Sequence, residues 1–511
     1  MKVHTIRLWG TFFLFSFCCL FLFSPDSYTH DLVGHFDSAW FFTCGKAWMN
    51  GLTPYVDFAD SKGPLLWFIY GLGYLISSHS YIGVFWISVI FYTGIFYFTF
   101  KTANIFLNDK KKSFAVVLLM TGVYFCTWYH QEIRAEDWCH LFIAISIYRT
   151  CHLLYNKEGM TGKEIYKTCF LIGLCLTGTL LIKFNVTAML GVSALYILYV
   201  LIRERKNILL SFMSVLAGFI TLTLPFFIYM MTKGCFYDFI QEYFLNTMQT
   251  VQSYNSIGTY LHEWLFLTYD PHYVVLFSLG CLGAYNMASL VKTDRLFFAI
   301  SFLGFYAVSI HHSSFLHWHY LSACMFFIIW ICISYIYTAN PKAIRLATYT
   351  VCIYTFISNF FTWGYLSHNW FFNDNIERKG YYEAAYYTSQ VSNSTILYYL
   401  TMDNGQGIPA ICLPATRYWA LQSGATDNMI QDQINTVKNR KADFVVANNK
   451  SDSLIVSSGY HFLCKYRIED INFCLFTKHD LNPLPSNFVV NKSDILLKRN
   501  LFKKIHNYDC Q

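Results

Sequence analysis

The sequence predicts a polytopic α-helical membrane protein of about eleven spans. Amphipathic helices are expected in its first outer loop, and a small C-terminal α/β or α+β domain outside the membrane. Three observations lead there. Of 511 residues, 55% are hydrophobic and 13% charged, with a mean hydropathy of +0.35, about half the charge that solvates an ordinary soluble chain. The apolar residues gather in runs of about 20, the length a helix needs to cross a hydrocarbon core of roughly 30 Å. Beyond residue 366 the composition turns abruptly to Asn, Asp, Ser and Lys.

The runs lie near 8–24, 81–100, 113–130, 138–155, 168–184, 186–202, 208–231, 271–291, 296–311, 319–338 and 343–366. The first passes from Phe21 through Ser24 into Pro25 and Asp26 with no small-residue cleavage site, so it reads as an anchor and not a removed signal. In the loop from 25 to 80, Ala39, Trp40, Phe41, Ala47 and Trp48 fit an interfacial amphipathic helix with Asp37 near its start. Asn50-Gly51 ends it, Thr53-Pro54-Tyr55 begins an extended piece, and Lys62-Gly63-Pro64 feeds a second short helix from Leu65 to Ile76. In the tail, Ile411 to Leu413, Phe444 to Ala447 and Phe473 to Phe476 read as strands around a helix near 427–441. The division is therefore a transmembrane domain over 1–366 and a soluble domain over 367–511, long enough for its own core.

Topology accounts for the net charge of +7. No basic helix or aromatic-basic patch accompanies it, so topology explains the charge better than a polyanionic partner does, and no nucleic acid is expected. With the N-terminus in the cytoplasm, seventeen Lys and Arg fall on that side before residue 367 and five on the other: Lys46, Lys62, Arg134, Lys183 and Lys233. That bias sets the N-terminus inside and the tail outside. Most of the 17 Cys lie within apolar runs and show no zinc spacing. Cys412, Cys464, Cys474 and Cys510 lie in the tail, where a disulfide is permitted and its connectivity is not readable.

Four polar clusters stand out on the outer side. The first loop brings Asp37, Asp57, Asp60 and Lys62 to the lipid boundary, where a transferase acting on a membrane-bound substrate needs a carboxylate base. The stretch HQEIRAED packs His130, Glu132, Arg134, Glu136 and Asp137 into a short connection. Each charge drawn into hydrocarbon would cost roughly 2.5 to 3.5 kcal/mol, so these must face water, one another or a cavity. Lys183 with Asn185 ends a long apolar run and suits an anion. Last come His311, His312, His317, His319 and Tyr320 in HHSSFLHWHY, which lack an HExxH spacing and a nearby carboxylate and so suit phosphate or sugar better than metal. No internal repeat of the kind that builds transporters is visible.

The first loop resembles a pattern of the GT-C fold glycosyltransferases. The likeness is to the branch with protein O-mannosyltransferases and lipid A aminoarabinose transferases, and most of all to its bacterial members. Its residues are Asp37, Gly51, Pro54, Tyr55, Asp57, Asp60, Lys62, Gly63, Pro64 and Leu65. The resemblance extends more weakly through Glu136-Asp137, Lys183 and Asn185 to His319-Tyr320, and no motif covers the tail. It implies an inverting glycosyltransferase of a bacterial cytoplasmic (inner) membrane that moves a sugar from a polyprenyl-phosphate donor to a glycan, lipid or protein acceptor of the cell envelope on the outer face of that membrane. Asp37 would be the base; Lys62, Lys183, Asn185 and His319 would hold the donor phosphate. Tyr55, Asp57, Asp60, Arg134, Glu136, Asp137 and Tyr320 would bind acceptor or sugar or support the site. No metal ligand is assigned: a lipid phosphate leaves already ionised, so neither a nucleotide nor an obligatory divalent metal is required. The chain departs from the pattern where Ser38 replaces a second acid, where Ser322 and Ala323 stand in place of Pro, and in the extra cation Arg134. Two other classes remain open: a flippase or transporter of a lipid-linked saccharide, and a noncatalytic envelope scaffold.

Overall fold

The computed structural model describes residues 2–24, 36–78, 80–124, 133–155, 161–203, 206–248, 329–334, 336, 342, 353, 379–403, 412–421, 425–468 and 471–485. The expected spans at 271–291 and 296–311, and most of those at 319–338 and 343–366, lie outside these residues, as do His311, His312, His317, His319, Tyr320, His130, Glu132 and Cys510.

Each of the seven apolar runs expected before residue 232 holds a helix among its described residues, and residues 125–130 of the third lie outside them. They are α1 (Lys2–Phe23), α4 (Ile82–Leu107), α5 (Lys110–Tyr124), α6 (Ala135–Tyr155), α7 (Gly162–Leu180), α8 (Phe184–Arg203) and α9 (Ile208–Thr232). Local chemistry sets several ends. Thr161 accepts the amide of Glu164 at the start of α7, half of a capping box, and Asn207 accepts that of Leu210 at the start of α9. α7 and α9 cross at Gly173 and Gly218, where a Cβ on either would overlap the other helix's backbone. Among the described helices, α4 and α9 are long and apolar enough to cross a membrane by length and composition. On α9, Leu209, Phe212, Met213, Leu224, Ile228 and Met231 are exposed, a surface suited to lipid and not to water.

The two helices expected in the first loop are present as α2 (Phe36–Met49) and α3 (Pro64–Ile76), the latter starting on Pro64 just after Gly63. Their setting differs from an interfacial one. From Ser38 to Ala47 α2 is buried almost throughout, with Phe41 against Tyr70 of α3 at 5.6 Å and Trp40 against Trp419 of the tail at 5.1 Å. Its polar face meets protein where the sequence suggests a headgroup layer.

After α9 come a short α10 (Phe236–Phe239) and a π-helical turn (Ile240–Asn246). The tail then forms α11 (Lys379–Ser389), β1 (Thr395–Tyr398), β2 (Leu413–Pro414), α12 (Asp427–Lys438), β3 (Phe444–Ala447), α13 (Ser453–Ser457), β4 (His461–Ile468) and β5 (Ile471–Thr477). The strands make one mixed sheet in the order β2-β1-β3-β5-β4, parallel across β2, β1 and β3 and antiparallel across β3, β5 and β4. Alternation along the strands gives the sheet two apolar faces. Leu397, Val445 and Phe476 pack with Val437 of α12 and Ile455 of α13, whereas Ile396, Tyr398, Phe444, Val446 and Leu475 join a core continuous with α2 and the helical bundle. β1 and β4 escaped the sequence reading. Cys412, Cys464 and Cys474 are buried free thiols, so the permitted disulfide does not form among these three.

Candidate active site

The helices alternate in direction, so the first loop, the start of α6, the α7–α8 turn and the chain beyond α9 all lie at one end of the bundle. Backbone hydrogen bonds stitch them together. Gly63 N–H donates to Ile182 O (3.0 Å) and Leu65 N–H to Leu181 O (2.9 Å). Gly63 is required there, because a Cβ would overlap the Leu181 carbonyl oxygen. Ser38 Oγ and Tyr70 Oη both donate to Ile133 O, at 3.1 and 3.0 Å, which ties α2 and α3 to the start of α6.

This stitching gathers Asp37, Asp60, Lys62, Glu136 and Lys183, drawn from three connections. Burial works against the charge of Lys62, yet Asp60, Asp37 and Glu136 together hold its ammonium above the usual lysine range. Burial is also the main reason the Asp60 carboxyl is pushed up; Asp37 adds to that and Lys62 opposes it. Glu136, buried in the first turn of α6, forms an ion pair with Lys183. Lys62 is half-buried, bonds Ser61 Oγ at 3.2 Å and lies 5.8 Å over the Phe41 ring. An ammonium carries three donors, so two remain for a ligand. Asp60 accepts the Ser61 amide on Oδ1 at 2.6 Å, while its Oδ2 is buried with no hydrogen-bond partner among the described residues. Asp37, in the first turn of α2, is partly exposed and makes no hydrogen bond or ion pair among the described residues. A partly exposed carboxylate, an unsatisfied one and an ammonium with spare donors thus share one small region.

The remaining expected residues divide. Asn185 sits half-buried in the first turn of α8, two residues beyond Lys183. Tyr55 is fully buried at φ +66°, and its hydroxyl donates to the Lys62 carbonyl at 2.8 Å, so it supports the loop. Asp57 is exposed and accepts the Thr53 amide at 2.6 Å, which closes a turn. Asp137 reaches back to the Arg134 amide at 2.8 Å, as a residue three positions into a helix does, and turns inward to Tyr92 and His140. Arg134 itself is buried.

Several residues escaped the sequence reading. Arg417 bridges Asp238 (3.0 Å) and Glu242 (2.9 Å), Tyr418 Oη donates to Glu242 at 2.8 Å, and Thr43 donates to Asp403 at 2.7 Å. Their one signal is charge or hydroxyl within otherwise aromatic stretches such as TRYW, which a single sequence cannot pair. Among the described residues no group of three or more His, Cys, Asp or Glu is placed to hold a metal ion.

No protein-family model and no curated protein matches the sequence. Among solved structures, the chain is similar to the crystal structure of ArnT from Cupriavidus metallidurans bound to undecaprenyl phosphate. The TM-score is 0.60, over 94% of this chain and 99% of that one, at 10% identity. The chain has the GT-C fold. At that identity the likeness is one of fold, and it agrees with the resemblance carried by Asp37 to Leu65. A GT-C fold is that of an integral membrane protein, in keeping with the exposed apolar face of α9.

Proposed function

We propose that the chain is an inverting glycosyltransferase that moves a sugar from a polyprenyl-phosphate donor to a glycan, lipid or protein acceptor on the outer face of the cytoplasmic membrane. One observation carries the reading: Asp37, Asp60, Lys62, Glu136 and Lys183 meet at one end of a fold shared with ArnT, whose crystal structure holds undecaprenyl phosphate.

Asp37, which makes no hydrogen bond or ion pair among the described residues, takes the proton of the acceptor hydroxyl as that oxygen attacks the anomeric carbon. The bond from that carbon to the phosphate oxygen breaks, and its electron pair stays with the polyprenyl phosphate. Lys62, with two donors to spare, holds the departing phosphate, and Lys183 adds positive charge from its pair with Glu136. The buried, unpartnered Oδ2 of Asp60 suits a sugar hydroxyl. The phosphate leaves as an anion, so the reaction needs no nucleotide and no obligatory metal.

Two variants separate the roles. Asp37→Asn should insert and fold as the wild type does and lose on the order of 10²- to 10⁴-fold in transfer rate, the span of a removed general base. Lys62→Met should instead weaken binding of polyprenyl phosphate. Near-normal transfer by Asp37→Asn would remove it as the base.

A further inference from the structure

We infer that Arg417 of the tail is a positioning residue for Asp60 and Lys62, acting through Ala59, which makes the tail a working part of the site. Its kinetic arm rests on the transferase reading; its structural arm does not.

Arg417 belongs to two links at once. Its carbonyl accepts the Ala59 amide at 2.9 Å, and its guanidinium forks to Asp238 Oδ1 at 3.0 Å and Glu242 Oε1 at 2.9 Å. The next residue of the π-helical turn, Tyr243, donates from its hydroxyl to Leu180 O at 2.6 Å. Leu181 and Ile182 in turn accept from Leu65 and Gly63. The links close a ring: first loop, α7–α8 turn, π-helical turn, Arg417 and back to the first loop. Lys62 and Lys183 sit on its circumference.

The consequence is local. The segment from Ala59 to Gly63 is held at one end by the Arg417 carbonyl and at the other by the Ile182 carbonyl, and the residues between include Asp60 and Lys62. A planar guanidinium can fix two carboxylates in one geometry, whereas a Lys ammonium is a single point charge on a flexible stem. Releasing the Arg417 end leaves Asp60 at the loose end of a segment still held by Tyr55 at the Lys62 carbonyl and by Ile182 at Gly63. Shifts of about 1 Å at a reacting centre can cost roughly 10²-fold in rate.

The test uses the protein in lipid nanodiscs, comparing wild type, Arg417→Gln, Arg417→Lys and Asp238→Asn, the last replacing one charged arm of the fork by a neutral acceptor. Hydrogen exchange is read over residues 55–66 and, separately, over β3 and β5; turnover of a polyprenyl-phosphate sugar and affinity for free polyprenyl phosphate are read in parallel. Arg417→Gln should speed exchange over 55–66 and leave the two strands protected. It should lower turnover by about 10- to 100-fold, with affinity for free polyprenyl phosphate falling less than in Lys62→Met. Arg417→Lys should not restore turnover, and Asp238→Asn should give the same pattern in weaker form. Unchanged exchange over 55–66 in Arg417→Gln, or in Asp238→Asn should the former fail to fold, would overturn the inference. So would exchange rising across the whole sheet, or turnover within about twofold of wild type despite a loosened loop. A wild type that consumes no donor would remove the transferase reading, and exchange alone would then decide what Arg417 does.

Discussion

Asp60 keeps one carboxylate oxygen on its neighbour's amide and leaves the other buried without a partner. Its carboxyl is raised, chiefly by burial, so the folded chain binds that proton more tightly than the unfolded chain does. The stability this gives is present at low pH and lost as pH climbs from the ordinary aspartate value, about 4, through the raised folded value. Asp60→Asn removes the loss while keeping an acceptor for the Ser61 amide. Its thermal midpoint should exceed that of wild type at neutral pH, and the gap should close toward acid. A gap that does not vary with pH would contradict the assignment. At this scale the sequence was informative because charge is scarce: with 13% charged residues, each outer Asp, Glu or Lys is a candidate. Asp57 and Asp137 look the same as Asp37 and Glu136 in sequence, and only backbone geometry shows that they serve a turn and a helix start.

Among the elements, α2 and α3 were legible as helices from Asp37, Pro64 and the apolar residues between. The burial of α2 was not, because its cover comes from far along the chain: Thr43 and Asp403 bond across 360 residues. The contact between α3 and the α7–α8 turn was equally hidden, although Lys62-Gly63-Pro64 marked its position. Gly63→Ala tests that contact. The new Cβ must push the first loop off Leu181, and turnover should fall by about 10²-fold. Gly10→Ala in α1, where nothing lies within 4 Å of a new Cβ, should leave turnover unchanged and gain up to about 1 kcal/mol in helix propensity. Equal activity of the two variants would show that the loop tolerates the shift.

For the whole molecule, the alternation of helices places the Lys110 to Lys112 turn at one end and the gathered carboxylates and lysines, with the tail, at the other. From the excess of Lys and Arg, the first end is expected on the cytoplasmic side. A cysteine at Asn108, exposed at the end of α4, should react with a membrane-impermeant maleimide only after cells are permeabilised. One at Ser451, exposed in the tail, should react in intact spheroplasts. The reverse pattern would invert the topology and place the site in the cytoplasm. Run lengths alone made the helices before residue 232 legible at this scale; the core shared by the bundle and the sheet depends on packing between distant segments and left no mark in the sequence. The central claim is chemical, and one measurement addresses it most directly: purified full-length protein mixed with a panel of polyprenyl-phosphate sugars and an envelope extract, with free polyprenyl phosphate followed by mass spectrometry. At least one donor should be consumed by the wild type, releasing polyprenyl phosphate, and spared by Asp37→Asn. Donor that crosses between leaflets yet stays intact, or equal release by both proteins, would contradict the account.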